Sequence, residues 1–239
     1  MILKIQPAFI LHSRPYRETS MLLTLFMPEM GKVSASLRGV RSASKSARQK
    51  QAWLQPFQPL LVEWRETPTQ QLDWLTPQNI EPQGLAYGLK ADAALCGLYL
   101  NELLYRLIQP TDGLEGLFAH YQQALHALAQ SDQRELMAWH LRQFELVLLA
   151  ELGYGVDLTL DAQAQPIEPA LLYGYQPQTG FYQLNPLPQP RWSITGACLL
   201  KFSEQEFCLA CLASWKQLMR RILQPHLGTK PLATRALFN

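Results

Sequence analysis

The sequence predicts an α+β protein: an N-terminal five-stranded β-barrel of the OB type, then an α-helical domain interrupted by an irregular proline-rich stretch. Three observations lead there. Residues 8–76 alternate apolar and polar side chains between closely spaced prolines. From residue 85 onward, apolar side chains recur at spacings of three and four. Residues 154–192 then hold six prolines and break both periods. A period of two buries one face of a strand, whereas a period between three and four buries one stripe of a helix.

The elements follow in order. Phe9-Ile10-Leu11 opens the first strand, and Thr19 to Phe26 makes the second. Gly31-Lys32 turns into the third, Val33 to Arg38, where Val33, Ala35 and Leu37 alternate with polar residues. Leu60 to Trp64 is the fourth strand. Gln70 to Leu75 is the fifth, with Leu72 and Trp74 on one face. Pro28, Pro56, Pro59, Pro68 and Pro77 mark strand edges, where a missing N–H is tolerated. Five strands in so short a span suit an OB barrel; the pattern alone also allows an SH3-like barrel.

The barrel is expected to occupy residues 1–80, and Glu81-Pro82-Gln83-Gly84 to punctuate the chain before a helical domain over 81–239. A first helix carries Leu85, Leu89, Ala93, Cys96, Leu100, Leu103 and Leu107, and Pro110-Thr111-Asp112-Gly113 ends it. A second spans Leu114 to Ala129. A third spans Asp132 to Leu152, with Ser131 as N-cap and Gly153 as the glycine just past its end. The core of these helices is expected to need nothing from the barrel. Within 154–192, Tyr173-Gly174-Tyr175 and Gly180-Phe181-Tyr182 read as the arms of a hairpin. Ser203 with Glu206 reads as a capping box opening a last helix that ends near Leu223, before Pro225. Residues 193–239 are expected to pack back onto the earlier helices.

Composition narrows the function class. The chain has 239 residues, 48% of them hydrophobic, which is enough for a sizeable core. No run of about 18 apolar residues and no secretory leader are read from it, so a cytoplasmic protein is expected. Of the four cysteines, Cys208 and Cys211 form a C-x-x-C inside an amphipathic pattern; reduced, packed thiols are expected there rather than a zinc or redox site. The net charge of +2 hides a segregation. Residues 1–80 carry ten basic and five acidic side chains, 81–190 four and twelve, and 191–239 seven and two. Basic ends suggest a polyanion partner.

The segment Arg38-Gly39-Val40-Arg41-Ser42-Ala43-Ser44-Lys45-Ser46-Ala47-Arg48-Gln49-Lys50 concentrates that charge, with five basic residues and no acid. It reads as a flexible loop whose long cationic side chains track a phosphate backbone without reading sequence. A merely solvated charge run is the plainer alternative. Tyr16, Trp53, Phe57 and Trp64 lie near enough to stack on unpaired bases, although each also fits a core position. Lys216, Arg220, Arg221, Lys230 and Arg235 either extend the basic surface or form an ordinary solvated face. The motifs that bind nucleotides, activate a serine or hold a catalytic zinc are all missing, and no carboxylate cluster suits two metals. His12, His120, His126, His140 and His226 are scattered, with His140 and Glu145 a surface pair at most. The residues point to binding rather than catalysis.

Several segments resemble one family. His12-Ser13-Arg14-Pro15-Tyr16 with Glu18-Thr19-Ser20 looks like the first hairpin of the bacterial recombination mediator family RecO. Arg38 to Ser42 is similar to its glycine–basic loop, Leu54 to Leu60 to the strand that follows, and Tyr99 to Leu104 to its first long helix. Leu141 to Leu146, running on to Leu152-Gly153-Tyr154-Gly155, is the most specific match. His226 to Leu232, with Arg235, closes the series.

That resemblance implies a non-enzymatic protein of the nucleoid-associated cytoplasm that binds single- and double-stranded DNA and anneals complementary strands. It also implies partnership with RecR and with the single-stranded-DNA-binding protein SSB in loading the RecA recombinase. Many members hold zinc through four cysteines in the intervening segment. Residues 154–192 contain none, so the chain resembles the zinc-free branch, with no metal or cofactor expected. The expected DNA contacts are Arg14, Lys32, Arg38, Arg41, Lys45, Arg48 and Lys50. The acidic SSB tail is expected to dock on the helical domain with its carboxylate on Arg142 and an apolar contact at Leu152, since Arg grips a carboxylate bidentately. A surface ion pair of Arg142 with Glu145 or Glu135 is the alternative there. For the whole chain, the alternatives are a protein-binding adaptor whose barrel ignores DNA and an RNA-binding OB protein.

Overall fold

The computed structural model describes residues 2–66, 73–110, 113–184 and 192–238. The expected positions Thr67 to Leu72, Thr111, Asp112, Pro186, Pro188 and Pro190 lie outside the described residues. The chain is α+β, as its periodicity predicts. Contacts group it into two compact units, one formed by residues 1–130 with 232–239 and the other by 131–231.

The first unit is built on a curled, mixed, six-stranded sheet of OB-like kind, in the order β5-β3-β2-β1-β4-β6. Its strands are β1 (Ile2–Tyr16), β2 (Ser20–Met27), β3 (Gly31–Leu37), β4 (Leu60–Glu66), β5 (Trp74–Leu75) and β6 (Asn79–Pro82). The sequence reading had five strands; β6 escaped it because only Ile80 in that segment is buried, too short a pattern to show alternation. The curl comes from β1. Its first half pairs with β4 (Ile2↔Glu66 to Ala8↔Leu60) and its second half with β2 (Phe9↔Phe26 to Tyr16↔Ser20). The register shifts between Ile10 and His12, and such a bulge bends a strand and increases its twist.

Consecutive residues of β1 therefore serve two cores. Ile10 enters the sheet interior with Leu23, Leu25, Val33, Ala35, Leu60, Val62 and Trp64. Phe9 points the other way, with its ring centroid 5.0 Å from Tyr121 and 5.4 Å from Phe118; Phe26 lies 5.3 Å from Phe118. Those partners belong to α3 (Glu115–Gln130), which packs beside α2 (Ala91–Leu107). Asn101 on α2 donates to the Ile10 carbonyl at 3.3 Å and accepts from the Tyr121 hydroxyl. The expectation that these helices need nothing from the sheet is overturned, because the sheet's outer face carries Phe9 and Phe26, which pack on Phe118 and Tyr121 of α3, and its Ile10 carbonyl bonds Asn101 of α2. α2 also starts six residues later than its periodicity suggested. Leu85 is exposed, and the chain before α2 is extended, with Tyr87 N–H bonded to the Phe57 carbonyl at 3.1 Å.

The second unit holds α4 (Arg134–Glu151), the sheet β8-β7-β9, in which β9 is Ile194–Thr195, α5 (Gly196–Ser203) and α6 (Leu212–Leu227). The hairpin appears as read: β7 (Leu172–Gln176) pairs with β8 (Gly180–Gln183) through Gly174↔Tyr182 and Tyr175↔Phe181. Gly153 ends α4 at φ +78°, as expected, whereas the N-cap is Gln133 rather than Ser131. Trp215 of α6 packs 5.0 Å from both Trp139 and Phe202.

Three expectations fail here. Ser203 does not open a helix: its hydroxyl donates back to Leu200 O at 2.7 Å as α5 closes, and Glu206 pairs with Lys201 instead. Pro225 does not stop α6 but lies inside its last turn, where the lost N–H removes only a terminal bond. Cys198 and Cys211 are not thiols but a disulfide with Cα atoms 5.5 Å apart, and Cys96 and Cys208 lie outside that bridge. The pair is 13 positions apart in sequence, and only the return of the chain from α5 to α6 brings the two together.

Candidate nucleic-acid interface

The basic segment after β3 is not a mobile loop. Gly39 takes φ +72°, a left-handed turn that glycine makes without strain, and this lets Val40 plunge fully into the sheet core while Arg38 and Arg41 stay outside. Arg41 is tied twice to the β1–β2 turn, N–H to Thr19 O at 3.0 Å and guanidinium to Arg17 O at 3.1 Å. Ser44 then caps a helix, α1 (Lys45–Trp53), its hydroxyl accepting from Ala47 N–H at 3.1 Å. Lys, Ala, Arg and Gln are good helix formers, and a serine three residues ahead is an N-cap signal. The flexible-loop expectation is corrected on that ground: the Ser/Ala run is a cap and a helix start, with Ala47 and Leu54 buried below.

The structure gathers one group of the expected residues. Arg14 pairs across to Leu22, and Leu22 to Ser36, so Arg14 shares an outer-face row with a residue two before Arg38. Arg14, Arg38, Arg41, Lys45 and Arg48 are all exposed, and Lys50 is half-buried. Arg17, which the sequence reading missed, joins them at the β1–β2 turn, its guanidinium 5.2 Å over the Tyr16 ring. Its signal was available: a second arginine closing Arg14-Pro15-Tyr16-Arg17 at a hairpin tip. Among the described residues, none of these cations is in an ion pair.

Lys32 stands apart. It lies six residues from Arg38 along β3, about 20 Å at strand rise. Its ammonium donates to Tyr105 O at 2.7 Å and sits 5.5 Å from the Tyr105 ring, and burial lowers its pKa. Of the aromatic candidates, Phe57 and Trp64 are core residues and Trp53 packs against the core; Tyr16 is half-exposed. His140 bonds Gln143 rather than Glu145.

In the second unit, Arg142 is buried. Its Nη2 bonds Glu145 Oε1 at 2.7 Å, and Glu145 is wholly buried; among the described residues the Arg142 Nε has no hydrogen-bond partner. Leu152 is half-buried at the C-cap of α4. Among the described residues no cluster of three His, Cys, Asp or Glu side chains is arranged to hold a metal, and no helix is long and apolar enough to cross a membrane.

Comparison with known proteins places this architecture. Residues 1–82 match the family model for the recombination protein O N-terminal domain, and residues 89–236 match its C-terminal domain. The chain is 38% identical to the DNA repair protein RecO of Tolumonas auensis, covering 98% of this chain and 95% of that one. It is 39% identical to that of Cellvibrio japonicus, over 100% and 98%, and 40% identical to that of Yersinia enterocolitica, over 98% and 93%. With both family models matched along nearly its whole length, the chain belongs to the RecO family of DNA repair and recombination proteins.

Proposed function

We propose that this chain is a non-enzymatic mediator that binds DNA on the sheet's basic end, anneals complementary strands, and acts with RecR and SSB to load RecA on DNA in the cytoplasm. The observation that supports it is a row of mostly exposed cations, none in an ion pair among the described residues, fixed by Val40 and by the Ser44 cap. Arg14, Arg17, Arg38 and Arg41 surround one sheet end, and Lys45, Arg48 and Lys50 continue along α1. Cations held in place bind phosphates without ordering long side chains on a mobile tether, and each neutralised phosphate releases counterions. Annealing then needs only charge neutralisation and local concentration.

The test is fluorescence anisotropy of labelled single-stranded DNA across a salt series. Replacing Arg38, Arg41, Lys45 and Arg48 by Ala is expected to flatten the log–log salt slope by about 3, at roughly 0.7 per phosphate. An unchanged slope removes the barrel from the DNA-binding reading and favours an adaptor.

For the SSB tail the reading keeps Arg142 and Leu152 on α4. Glu145 already occupies the Arg142 guanidinium, so it competes with a tail carboxylate. Glu145→Gln is therefore expected to tighten a tail peptide, and an affinity that ignores both Glu145→Gln and Arg142→Lys rules the anchor out.

A further inference from the structure

The second unit carries a basic feature that the sheet's cations do not explain. A groove of about 630 Å³ runs between the β7–β8 hairpin and α6, lined by Tyr175 and Pro177 on one side and by Lys216, Arg220, Arg221 and Gln224 on the other. Among the described residues no carboxylate lines it. Lys216 and Arg220, one turn apart, stand about 6 Å apart along the helix axis, close to the spacing of successive phosphates on an extended strand. Arg221 is held 4.7 Å over the Trp192 ring, which orients its guanidinium. Opposite them, Tyr175 is half-buried and packs its ring 5.3 Å from Phe181.

An ordinary solvated helix face would leave its cations open to water on all sides. Here a hairpin covers one flank. Burial lowers the Lys216 pKa, and the positive charges of Arg220 and Arg142 lower it further. Like charges crowded into a partly covered groove without an acid are unfavourable until an anion enters. Lys216 and Arg220 one turn apart, with Arg221 beside them and an aromatic ring opposite, suit a chain of phosphates with a base on the ring. A single terminal carboxylate would need only one of the three.

We propose that this groove is a second nucleic-acid site, in which an unpaired strand lies along α6 with its phosphates on Lys216, Arg220 and Arg221 and a base against Tyr175. The inference rests on the annealing reading for its purpose, since annealing requires two strands to be held at once, but it shares no residue with the sheet's basic end.

The experiment uses the full chain in three forms: unaltered, Lys216→Ala/Arg220→Ala/Arg221→Ala, and Arg38→Ala/Arg41→Ala/Arg48→Ala. Fluorescein-labelled oligo(dT) is titrated across a salt series, and annealing of complementary oligonucleotides is timed. The groove variant is expected to lose several-fold in affinity, to flatten the salt slope by about 2, and to anneal at least tenfold more slowly. All three side chains are exposed, and the buried stripe of α6 (Trp215, Leu218, Met219, Ile222, Leu223) is untouched. Tyr175→Ala is expected to weaken oligo(dT) binding while Tyr175→Trp keeps it, and the charge-retaining Lys216→Arg/Arg220→Lys/Arg221→Lys stays near the unaltered protein. A groove variant with unchanged DNA affinity, slope and annealing rate overturns the proposal, as does one that loses only an Asp/Glu-rich peptide. Loss confined to the other triple variant leaves the sheet site standing and sinks the groove; loss confined to the groove variant does the reverse.

Discussion

Arg142 and Glu145, one turn apart on α4, form an ion pair at 2.7 Å with side chains 8% and 0% exposed. Removing one partner of such a pair strands a charge in a low dielectric, which costs about 3–5 kcal/mol, whereas replacing both by apolar residues is often neutral. Arg142→Ala is therefore expected to lower stability by about that amount in urea unfolding, and Arg142→Met with Glu145→Leu to recover most of it. A single substitution no worse than the double one would show that the pair is not a buried charge. The same measurement separates a folding defect from a lost SSB contact when Arg142 variants are scored for peptide binding.

The Ser44 cap makes a local prediction. Ser44→Ala should remove about 1 kcal/mol from α1, visible as faster hydrogen exchange of the amides in residues 48–53 and little change in global unfolding. Because Lys45 and Arg48 then lose their fixed spacing, single-stranded DNA should bind about twofold more weakly, although no cation has been removed. Equal exchange rates would mean that packing of Ala47 and Leu54, not the cap, holds the helix.

Glu102 fastens the C-terminal turn to α2. Its carboxylate accepts from Ala233 N–H at 2.7 Å, Thr234 N–H at 2.8 Å and the Thr234 hydroxyl at 2.6 Å. Burial pushes its pKa up, but the bonds from Thr234 and Ala233 and the charge of Arg106 outweigh that and hold it below the usual carboxylate value. A depressed folded pKa means stabilisation that is present above the ordinary carboxylate range and is lost as pH falls through it. Glu102→Gln is thus expected to cost about 1 kcal/mol at neutral pH, after allowing for solvent screening, and less at pH 4. A gap that stays constant between those pH values contradicts the linkage.

The Cys198–Cys211 bond closes a loop of 13 residues, which on chain-entropy grounds is worth about 3 kcal/mol against the reduced, unfolded chain. Thiol titration of the unfolded, unreduced protein should find two thiols, Cys96 and Cys208, and all four cysteines after reduction. Reduction should lower the urea midpoint, and Cys198→Ser/Cys211→Ser should reproduce the reduced protein. Four titratable thiols before reduction would show the bridge unformed.

What a run of residues could show by itself was legible. The alternation in β3, the three-four spacing of α2 and α3, the glycine that ends α4 and the tyrosine-rich hairpin all depend on neighbours within a few positions, and each appears where its pattern put it, save that α2 begins six residues late. The basic segment was legible as charge but not as shape. Its helix turns on the single capping bond of Ser44, and Val40 is a core residue only because Gly39 turns it inward. The Ser203–Glu206 pair carried the right spacing for a cap and served other partners.

The sequence alone determined which faces are apolar, where the cations concentrate and which family the segments resemble, because those properties are local and survive without contacts. Only the tertiary structure decided which aromatic side of the sheet the helices cover, that Arg142 is spent on Glu145, that Cys198 meets Cys211, and that a hairpin flanks the cations of α6. Each of these joins residues through space, and the energies that select them, namely desolvation, burial and packing, do not exist until the chain has closed on itself.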